Sequence, residues 1–457
     1  MSRFIPVDRQ SAYLLPPSLQ DWLPEDHLAR FILEAIEQLD LGKLTSAYAG
    51  RGSAAYHPEV LLSLLVYGYA TGVFSSRRIE RATHDSVAFR FLAANRHPDH
   101  DTLATFRRRF LSELSDIFVQ VLELAGEMKL LKLGSISLDG TKVHANASRH
   151  SALSHGHIDK LQSRLQGEVQ ELLALAEQAD GADIPDGMKL PEELKRRQDR
   201  LAAMQEAKTK IEKRAQARFA REQADYQAKL AQRQTRAEHT GKKPGGRPPK
   251  PPEAGPRAQD QINLTDEESR IMKVAGGGFE QCYNAQAAVD TASMLVLVPL
   301  VTQACNDKEQ VVPMLEQLAQ LPGALGRVDS VIADCGFCSD KNIAACEAAG
   351  VEPFLAVARQ DHHPHWRERF AQPAPCAQDA TALERMAHKL RSPAGRAVYA
   401  LRKQTVEPVF GIIKSVMGFR QFLLRGKDKV SGEWRLVCLA FNLKRMAVLR
   451  HNSVPCA

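Results

Sequence analysis

The chain has 457 residues, 44% of them hydrophobic, and a formal net charge of +7; at about 150 residues per domain, this length predicts roughly three domains. The hydrophobic content excludes global disorder, and no apolar run reaches the roughly 18–20 residues that a membrane span needs. The N-terminus lacks a signal-peptide core and the eight cysteines are sparse, which excludes a disulfide scaffold and favours a reducing compartment, either the bacterial cytoplasm or a nucleus.

Residues 1–130 are predicted to form a mostly helical domain for DNA binding or dimerisation. Its clearest helices are Pro58–Tyr69 with Pro58 in the first turn, residues 82–93, and a segment from His97 to Phe110 whose N-cap is Asp101 or Thr102. Short helices with arginines near their starts are typical of compact DNA-binding units. A solvated basic helix face explains each cluster equally well. The arginines concerned are Arg77, Arg78, Arg107, Arg108 and Arg109.

The next two segments differ sharply in pattern. Residues 131–156 contain a short strand that is predicted to end at Asp139, where Asp139-Gly140 would form a turn. Residues 157–240 are rich in Glu, Gln, Lys and Arg, and their apolar residues follow helical spacing on both sides of a break at 180–187, which predicts an antiparallel helical hairpin with a local coiled coil. The apolar positions are Leu161, Leu165, Val169 and Leu172, then Leu194, Leu201, Met204, Ile211 and Ala215, with Lys208 interrupting the seam.

A basic Pro/Gly linker is predicted over residues 241–260, because its composition excludes a helix or a strand. Arg247 lies in a Gly-Arg-Pro core that could enter an A·T-rich minor groove, where the narrow groove attracts arginine. A positively charged tether is the simpler explanation and is favoured, because an extended basic linker needs no specific target.

Residues 261–450 change to an α/β pattern. The predicted elements are two paired strands at 282–290 and 294–303, an interior strand ending at Asp334, a helix opened by Ser339 and closed at Gly350, a strand at 351–358, a polar loop at 360–395, and helices at 396–417 and 433–450.

Three acids stand apart because of their positions. Asp139 and Asp334 are placed at strand ends, which meet at one crevice in open α/β sheets, and Glu407 lies in the helical region that follows. Three such carboxylates can hold two divalent cations about 4 Å apart for phosphoryl transfer, and Mg²⁺ prefers oxygen ligands of this kind. Taken singly, each acid is explained more simply as a turn residue, a cap or a surface charge.

The helix around Glu407 strengthens this interpretation. At about 100° per residue, Tyr399, Lys403, Glu407 and Lys414 fall within roughly 80° of one another, and Arg402 lies next to that face. A carboxylate surrounded by cations and a phenol suits a metal bound beside a phosphate backbone. Pro408 disfavours the α conformation at Glu407, so a kink or a fresh helix start is expected there.

The strings SLDGTKVHANAS, GGGFEQCYNAQAAVD, VIADCGFCSDKN and VEPVFGIIKSVMGFRQFLLRG occur in this order, and with the N-terminal segment they resemble bacterial insertion-sequence transposases of the DDE type. More narrowly, the chain resembles the insertion-sequence-five-like group with a long helical insertion. The resemblance implies an α/β RNase H-like catalytic domain, interrupted by a helical hairpin insertion and preceded by an all-α N-terminal domain. It also implies a catalytic and metal-binding triad of Asp139, Asp334 and Glu407.

The same resemblance implies a function: binding of the terminal inverted repeats, metal-dependent DNA cleavage, and transfer of the freed 3′-OH to target DNA. Two Mg²⁺ ions, replaceable by Mn²⁺, double-stranded DNA and a homodimer at the nucleoid are the implied cofactors, partners and location. A Tyr, Arg, Glu, Lys signature corresponds to Tyr399, Arg402, Glu407 and Lys414, but Lys403 has the better spacing to Glu407, so either base could fill the basic position.

Other features leave alternatives open. Lys142, His144 and Asn146 follow Asp139 and either line the site or make local contacts. Cys335 and Cys338 form a C-x-x-C motif that lacks a second pair for zinc, so small buried residues are expected. A catalytically inactive or domesticated DNA-binding protein and a helical interaction protein are the alternative functions. A further group of residues, expected to lie in a polar loop, is His362, His363, His365 and Trp366.

Overall fold

The computed structural model describes residues 18–48, 54–177, 189–241, 245–358, 367, 375–377 and 379–453. The chain forms two compact units. The first unit comprises Met1–His144 and Tyr283–Ala457, and the second comprises Ala145–Cys282. The predicted histidine cluster at 362–366 and the helix break at 180–187 lie outside the described residues. No helix in the described part of the chain is long and apolar enough to cross a membrane.

The N-terminal part of the first unit is helical, as predicted. Within its described residues it contains α1 (Leu19–Trp22), α2 (Leu28–Glu37), α3 (Gly42–Ser46), α4 (Pro58–Ala70), α5 (Ser76–Asp85), α6 (Val87–Leu92), α7 (His100–Arg109) and α8 (Leu114–Glu127). Helix α4 has Pro58 in its first turn, which confirms the prediction. Nearly every residue of α4 is buried, so this helix forms the centre of the helical packing.

Two details of this region differ from the sequence prediction. The predicted helix over 82–93 is two helices, because Ser86 adopts an extended conformation between α5 and α6. The N-cap of α7 is Asp99, whose carboxylate accepts a hydrogen bond from the backbone N–H of Thr102. Asp101 lies inside the helix, in its first turn, where its negative charge also favours the helix N-terminus.

Strand β1 (Leu133–His144) closes this part of the first unit and is longer than predicted. It runs through Asp139-Gly140, so the predicted turn at that dipeptide is wrong. The reason is pairing at the end of the strand: the backbone N–H of His144 donates to Arg420 O, and His144 O accepts from the N–H of Phe422. These tertiary hydrogen bonds keep the chain extended where the Asp-Gly dipeptide alone favours a turn.

The second unit contains two long helices and short strands. Its elements are β2 (Ala152–Ser154), α9 (His155–Glu177), α10 (Leu190–Thr240), β3 (Gln261–Asn263), β4 (Arg270–Val274) and the first residues of β5 (Gly278–Asp290). Helices α9 and α10 are antiparallel, because Glu168 pairs with Arg197 while Asp159 pairs with Lys208. Lys208, which interrupts the apolar seam in the sequence, forms an ion pair with Asp159. This pair lies beside an apolar core that includes Leu165, Met204 and Ile211.

The first unit resumes within β5 and completes a mixed sheet. Its further elements are β6 (Val296–Thr302), α11 (Val311–Leu318), β7 (Gly326–Ala333), α12 (Asp340–Ala348), β8 (Glu352–Leu355), α13 (Ala382–Arg391), α14 (Pro393–Gly411) and α15 (Lys427–Ser453). The strand order is β6-β5-β1-β7-β8; β5 and β6 are antiparallel, whereas β1, β7 and β8 are parallel. The paired strands β5 and β6 and the interior position of β7 confirm the prediction.

Helix α12 also agrees with the prediction, since the Ser339 side chain caps it and Gly350 follows it with a φ of +69°. The predicted loop at 360–395 is wrong for its last part, where α13 and the start of α14 are helical. Thr381 and Glu384 form a reciprocal capping box, and Met386 and Leu390 are buried. The capping box and this apolar face stabilise the helix, although the polar composition of the segment suggests a loop.

A buried polar network joins the helices to the C-terminal part of the first unit. Helix α15 packs against β6 and against α2, α4 and α8. Its Glu433 is 0% exposed and accepts hydrogen bonds from Tyr69 Oη at 2.8 Å and from the backbone N–H groups of Leu423 and Leu424 at 2.9 Å each. Arg107 donates to Tyr69 Oη at 3.0 Å and supplies the compensating charge.

We expect Glu433→Ala to destabilise the protein by about 3 kcal/mol, because it leaves two buried N–H groups and the Tyr69 hydroxyl without their acceptor and the buried Arg107 without a nearby negative charge. Tyr69→Phe, which removes one hydroxyl, should cost about 1 kcal/mol. The measurement is urea unfolding at pH 7. Lys429→Ala, an exposed position on the same helix, is the control and should change stability by less than about 0.5 kcal/mol. Equal losses in the Glu433 and Lys429 variants would contradict this role.

Candidate functional site

The parallel register of β1 and β7 sets the position of the first two acids. Leu138 pairs with Ala333 at the end of a ladder that begins near Ser135 and Ser330. Asp139 and Asp334 each follow the last residue of this β1–β7 ladder, so they lie side by side where the ladder ends. Asp139 is the more enclosed, since its side chain is 15% exposed against 37% for that of Asp334.

The guanidinium of Arg402 joins all three predicted acids. Its Nη2 lies 2.8 Å from Asp139 Oδ2 and 3.8 Å from Asp334 Oδ2, and its Nη1 lies 2.7 Å from Glu407 Oε1. The Arg402 side chain is only 14% exposed. The structure therefore brings Asp139, Asp334 and Glu407 together around one partly buried cation.

Helix α14 carries both Arg402 and Glu407 and is continuous through Pro408. The fresh helix start expected at Glu407 does not occur. A single π-helical turn follows at Ile412–Val416, and such turns shift the phase of the residues beyond them. Lys414 lies in this turn and donates from Nζ to Thr141 Oγ1 at 2.5 Å and to the backbone O of Lys142 at 2.8 Å.

The bases next to Glu407 differ in their surroundings. Lys403 is exposed, whereas Arg402 contacts the acids directly. Of the two candidates for the basic position, the structure thus places Arg402 among the carboxylates. Tyr399 is half-buried, and burial is the main cause that raises the pKa of its hydroxyl.

The electrostatics of the site oppose ionisation of Asp139. Burial is the largest cause, and it raises the pKa of Asp139 to about 6, with further contributions from the negative charges of Asp334 and Asp307. Arg402 and the N–H of Gly140 act in the opposite direction but do not outweigh burial. Concentrated carboxylates that lack enough positive charge are typical of functional sites rather than of structural ion pairs.

Asp307 was not identified from the sequence. It lies in the loop between β6 and α11, and its carboxylate accepts hydrogen bonds from Asn284 Nδ2 and Gln286 Nε2 on β5. Lys142, which the sequence analysis placed near the site, has its Nζ 3.9 Å from Asp307 Oδ1. The available signal was an acid in the loop after a buried strand, but a loop acid is too common to be singled out.

The donor chemistry of the site fits a hard divalent cation, although no group of three or more Asp, Glu, His or Cys side chains among the described residues has the spacing of a preformed metal site. The donors are carboxylate oxygens, which Mg²⁺ prefers. The carbonyl oxygens of Asn284 and Gln286, fully buried nearby, have no hydrogen-bond partner within the described residues. A cation bound between the acids would require the Arg402 guanidinium to move from its position between Asp139 and Asp334.

The cysteine prediction is partly wrong. Cys335 is exposed and Cys338 is half-buried, although both were expected to be buried; Cys346 is fully buried. Burial is the main cause that raises the pKa of the Cys338 thiol and that raises the pKa of the Cys346 thiol to about 11. High thiol pKa values disfavour the thiolate that zinc or redox chemistry needs.

The predicted DNA-contacting arginines divide into two groups. Arg107 is 9% exposed and donates to Tyr69 Oη and Phe74 O. It is therefore part of the protein interior and not a DNA-contacting residue as predicted. Arg109 lies over the rings of Tyr48 and Phe110 and donates to Ala47 O. The remaining arginines of the set are exposed, and these are Arg77, Arg78, Arg108 and, in the second unit, Arg247.

Comparison with known proteins gives two matches along the chain. Residues 17–109 match the model of a transposase domain (DUF772). Residues 236–443 match the model of the transposase DDE domain, which spans Asp334, Arg402 and Glu407 and begins after Asp139. No curated protein and no solved structure matches the chain significantly. The two matched domains, in this order, establish that the chain belongs to the insertion-sequence transposases of the DDE type.

Proposed function

We propose that this transposase binds the terminal inverted repeats of its element and catalyses DNA cleavage and strand transfer, with Asp139, Asp334 and Glu407 as its metal-binding acids. The observation that carries this proposal is the convergence of the three acids on Arg402, with distances of 2.7 to 3.8 Å from widely separated parts of the chain. No simple structural role requires three carboxylates around one guanidinium, because one or two would neutralise it.

When bound, two Mg²⁺ or Mn²⁺ ions would activate the attacking oxygen and stabilise the leaving oxygen of the scissile phosphodiester. The three carboxylates would hold these cations at the edge of the sheet. Because Asp139 lies on β1 and Asp334 directly follows β7, whereas Glu407 lies on a helix, the two strands would define the centre and the helix would complete it. Preorganised positions of this kind avoid the cost of rearrangement during the reaction.

The basic residues of α14 and the following turn would position phosphates. Arg402 Nε is buried and has no hydrogen-bond partner within the described residues, so a phosphate oxygen would satisfy it once the guanidinium leaves the acids. Lys414 and Tyr399 flank the same region of β1 and α14. The exposed Arg77, Arg78, Arg108 and Arg247 are proposed to contact the DNA backbone outside the scissile bond, which would give affinity without sequence readout.

The finer organisation is also proposed. The chain would combine an all-α N-terminal domain (1–130) with an RNase H-like catalytic domain built from 131–156 and 261–450. Helices α9 and α10 would form an insertion over 157–240, followed by the basic linker 241–260, as in the insertion-sequence-five-like group. A homodimer would pair the two ends of the element. The mixed sheet with three adjacent parallel strands supports this arrangement.

We expect Asp334→Asn to lower Mg²⁺-dependent cleavage of DNA carrying the element ends by at least about 1,000-fold while leaving DNA binding within about threefold, because it removes a metal ligand without changing side-chain size. Cleavage is followed on labelled linear DNA and binding by gel shift in EDTA. Asp329→Asn, an exposed acid on the same strand, is the matched control. Undiminished cleavage in the Asp334 variant would remove this residue from the site. Binding by the wild-type chain without any cleavage would favour the inactive DNA-binding alternative.

The open choice between Arg402 and Lys403 has a direct test. Arg402→Ala should reduce cleavage by at least about 100-fold, because it removes the only base that contacts all three acids among the described residues. Lys403→Ala should reduce it by less than about threefold, since this side chain is exposed. Single-turnover cleavage rates of the two variants are compared at saturating DNA. The reverse order of effects would assign the basic position to Lys403.

The stability of the metal-free protein should depend on Asp139 and on pH. Since the pKa of Asp139 is raised to about 6 in the folded chain, against about 3.9 when unfolded, its stabilising contribution is complete below pH 4 and is lost as the pH rises through 6. Asp139→Asn removes this titration. We therefore expect the stability of the variant relative to wild type to increase by about 2–3 kcal/mol between pH 4 and pH 7.5.

Denaturant unfolding in EDTA at several pH values provides the measurement. The Asp329→Asn variant serves as control and should show no such trend, because that carboxylate is exposed. A constant stability difference between the Asp139 variant and wild type across this pH range would contradict the raised pKa.

A further inference from the structure

Asp307 lies near Asp139 and Asp334 and is hydrogen-bonded to two amides of the sheet. Its Oδ1 accepts hydrogen bonds from Asn284 Nδ2 at 2.7 Å and from Gln286 Nε2 at 2.5 Å. Both amide side chains are fully buried, and they occupy alternate positions on β5, so they share one face of the sheet. Because the two amides fix the position of Oδ1, they also set the orientation of Oδ2.

The second oxygen of Asp307 lies on the side of Asp334. A methyl group added at Gly140 would lie 2.7 Å from Asp307 Oδ1, and one added at Gly336 would lie 3.6 Å from Asp307 Oδ2 and 2.9 Å from Asp334 Oδ1. The carboxylate thus lies between the glycine that follows Asp139 and the glycine two residues after Asp334. Asp307 Oδ2 and Asp334 Oδ1 border the same methyl-sized space. Glycine at position 336 leaves that space open, whereas the space beside Gly140 is filled by the Gln286 amide and Asp307 Oδ1.

Two independent observations indicate that a cation is needed at this place. The carbonyl oxygens of Asn284 and Gln286 are buried without a hydrogen-bond partner in the described part of the chain, and such oxygens are accepted as ligands by hard cations and their bound waters. Moreover, four carboxylates meet here, while Arg402 and Lys142 are the cations paired with them.

We propose that Asp307 is a fourth carboxylate of the metal centre and supplies its Oδ2 as a ligand to the divalent cation shared with Asp139 and Asp334. The proposal rests on the proposed function of these acids, and it adds one ligand to the proposed triad. Asn284 and Gln286 act as positioning residues, because they hold Oδ1 and thereby aim Oδ2. The loop after β6 then takes part in metal binding, in addition to the two strands and α14.

Binding of Mn²⁺ alone to the full chain, measured by electron paramagnetic resonance of the free ion, tests this assignment without any DNA or activity. Asp307→Asn keeps an oxygen for the two amides and removes the charge. We expect its Kd for Mn²⁺ to rise at least tenfold, as expected also for Asp139→Asn and Asp334→Asn. Asp329→Asn should stay within twofold of wild type.

Thermal melting in EDTA separates ligation from a structural role. If Asp307 is a ligand, Asp307→Asn melts at or above the wild-type temperature, because a like charge has been removed, and it loses the increase in melting temperature that Mn²⁺ gives to wild type. Should Asp307→Asn show no melting transition, Asp307→Glu is tested for the same tenfold rise in the Kd for Mn²⁺ and the same melting behaviour. Its longer side chain would move the proposed ligand oxygen away from its position.

The outcomes are distinct. Wild-type affinity in the Asp307 variant, together with lost affinity in the Asp139 and Asp334 variants, would overturn the role of Asp307 and leave the proposed function intact. A lower melting temperature in EDTA with an unchanged Kd would assign Asp307 to structure alone. If wild type itself fails to bind Mn²⁺ and the triad variants behave identically to it, the metal centre and the proposal built on it both fall.

Discussion

The parallel pairing of β1 with β7 is the constraint on which the site depends. Asp139 and Asp334 are distant in the chain, and only the register that sets Leu138 opposite Ala333 places them at the same level. A slip of one residue would turn every side chain of one strand to the other face of the sheet. The apolar residues Ile136, Val331 and Ile332 are fully buried, so such a slip would expose the core. Hydrophobic burial therefore fixes the geometry of the acids.

The site stores unfavourable electrostatic energy. Asp139 is enclosed, Asp334 and Asp307 lie near it, and Arg402 compensates only part of the charge. A protein selected for stability alone would replace such a cluster by apolar residues of similar volume. In the proposed function, bound cations would supply the missing positive charge, whereas in this structure Arg402 is the cation that contacts all three acids.

The C-terminal part of the first unit holds the third acid in place. Glu433 binds the backbone of Leu423 and Leu424, and the same stretch pairs with His144 at the end of β1 through Arg420 and Phe422. The π turn that carries Lys414 precedes this stretch directly. Helix α14 is thus followed by a segment fixed both to the sheet and to the helical region, so the distance between Glu407 and the strand acids is set by packing far from the site.

Much of this protein could be predicted from local sequence patterns. Helix α4, the cap of α12 and the strands β5, β6 and β7 follow from periodicity, Pro and Gly placement and side-chain caps, because these signals act within a few residues. The order of the motifs identified the family and the candidate acids. The extension of β1 beyond Asp139, the burial of Arg107, the contact of Arg402 rather than Lys403 with the acids, and the place of Asp307 were decided by tertiary structure. Each depends on hydrogen bonds or ion pairs between residues far apart in the chain, and no local pattern encodes which distant partner a charged side chain will meet.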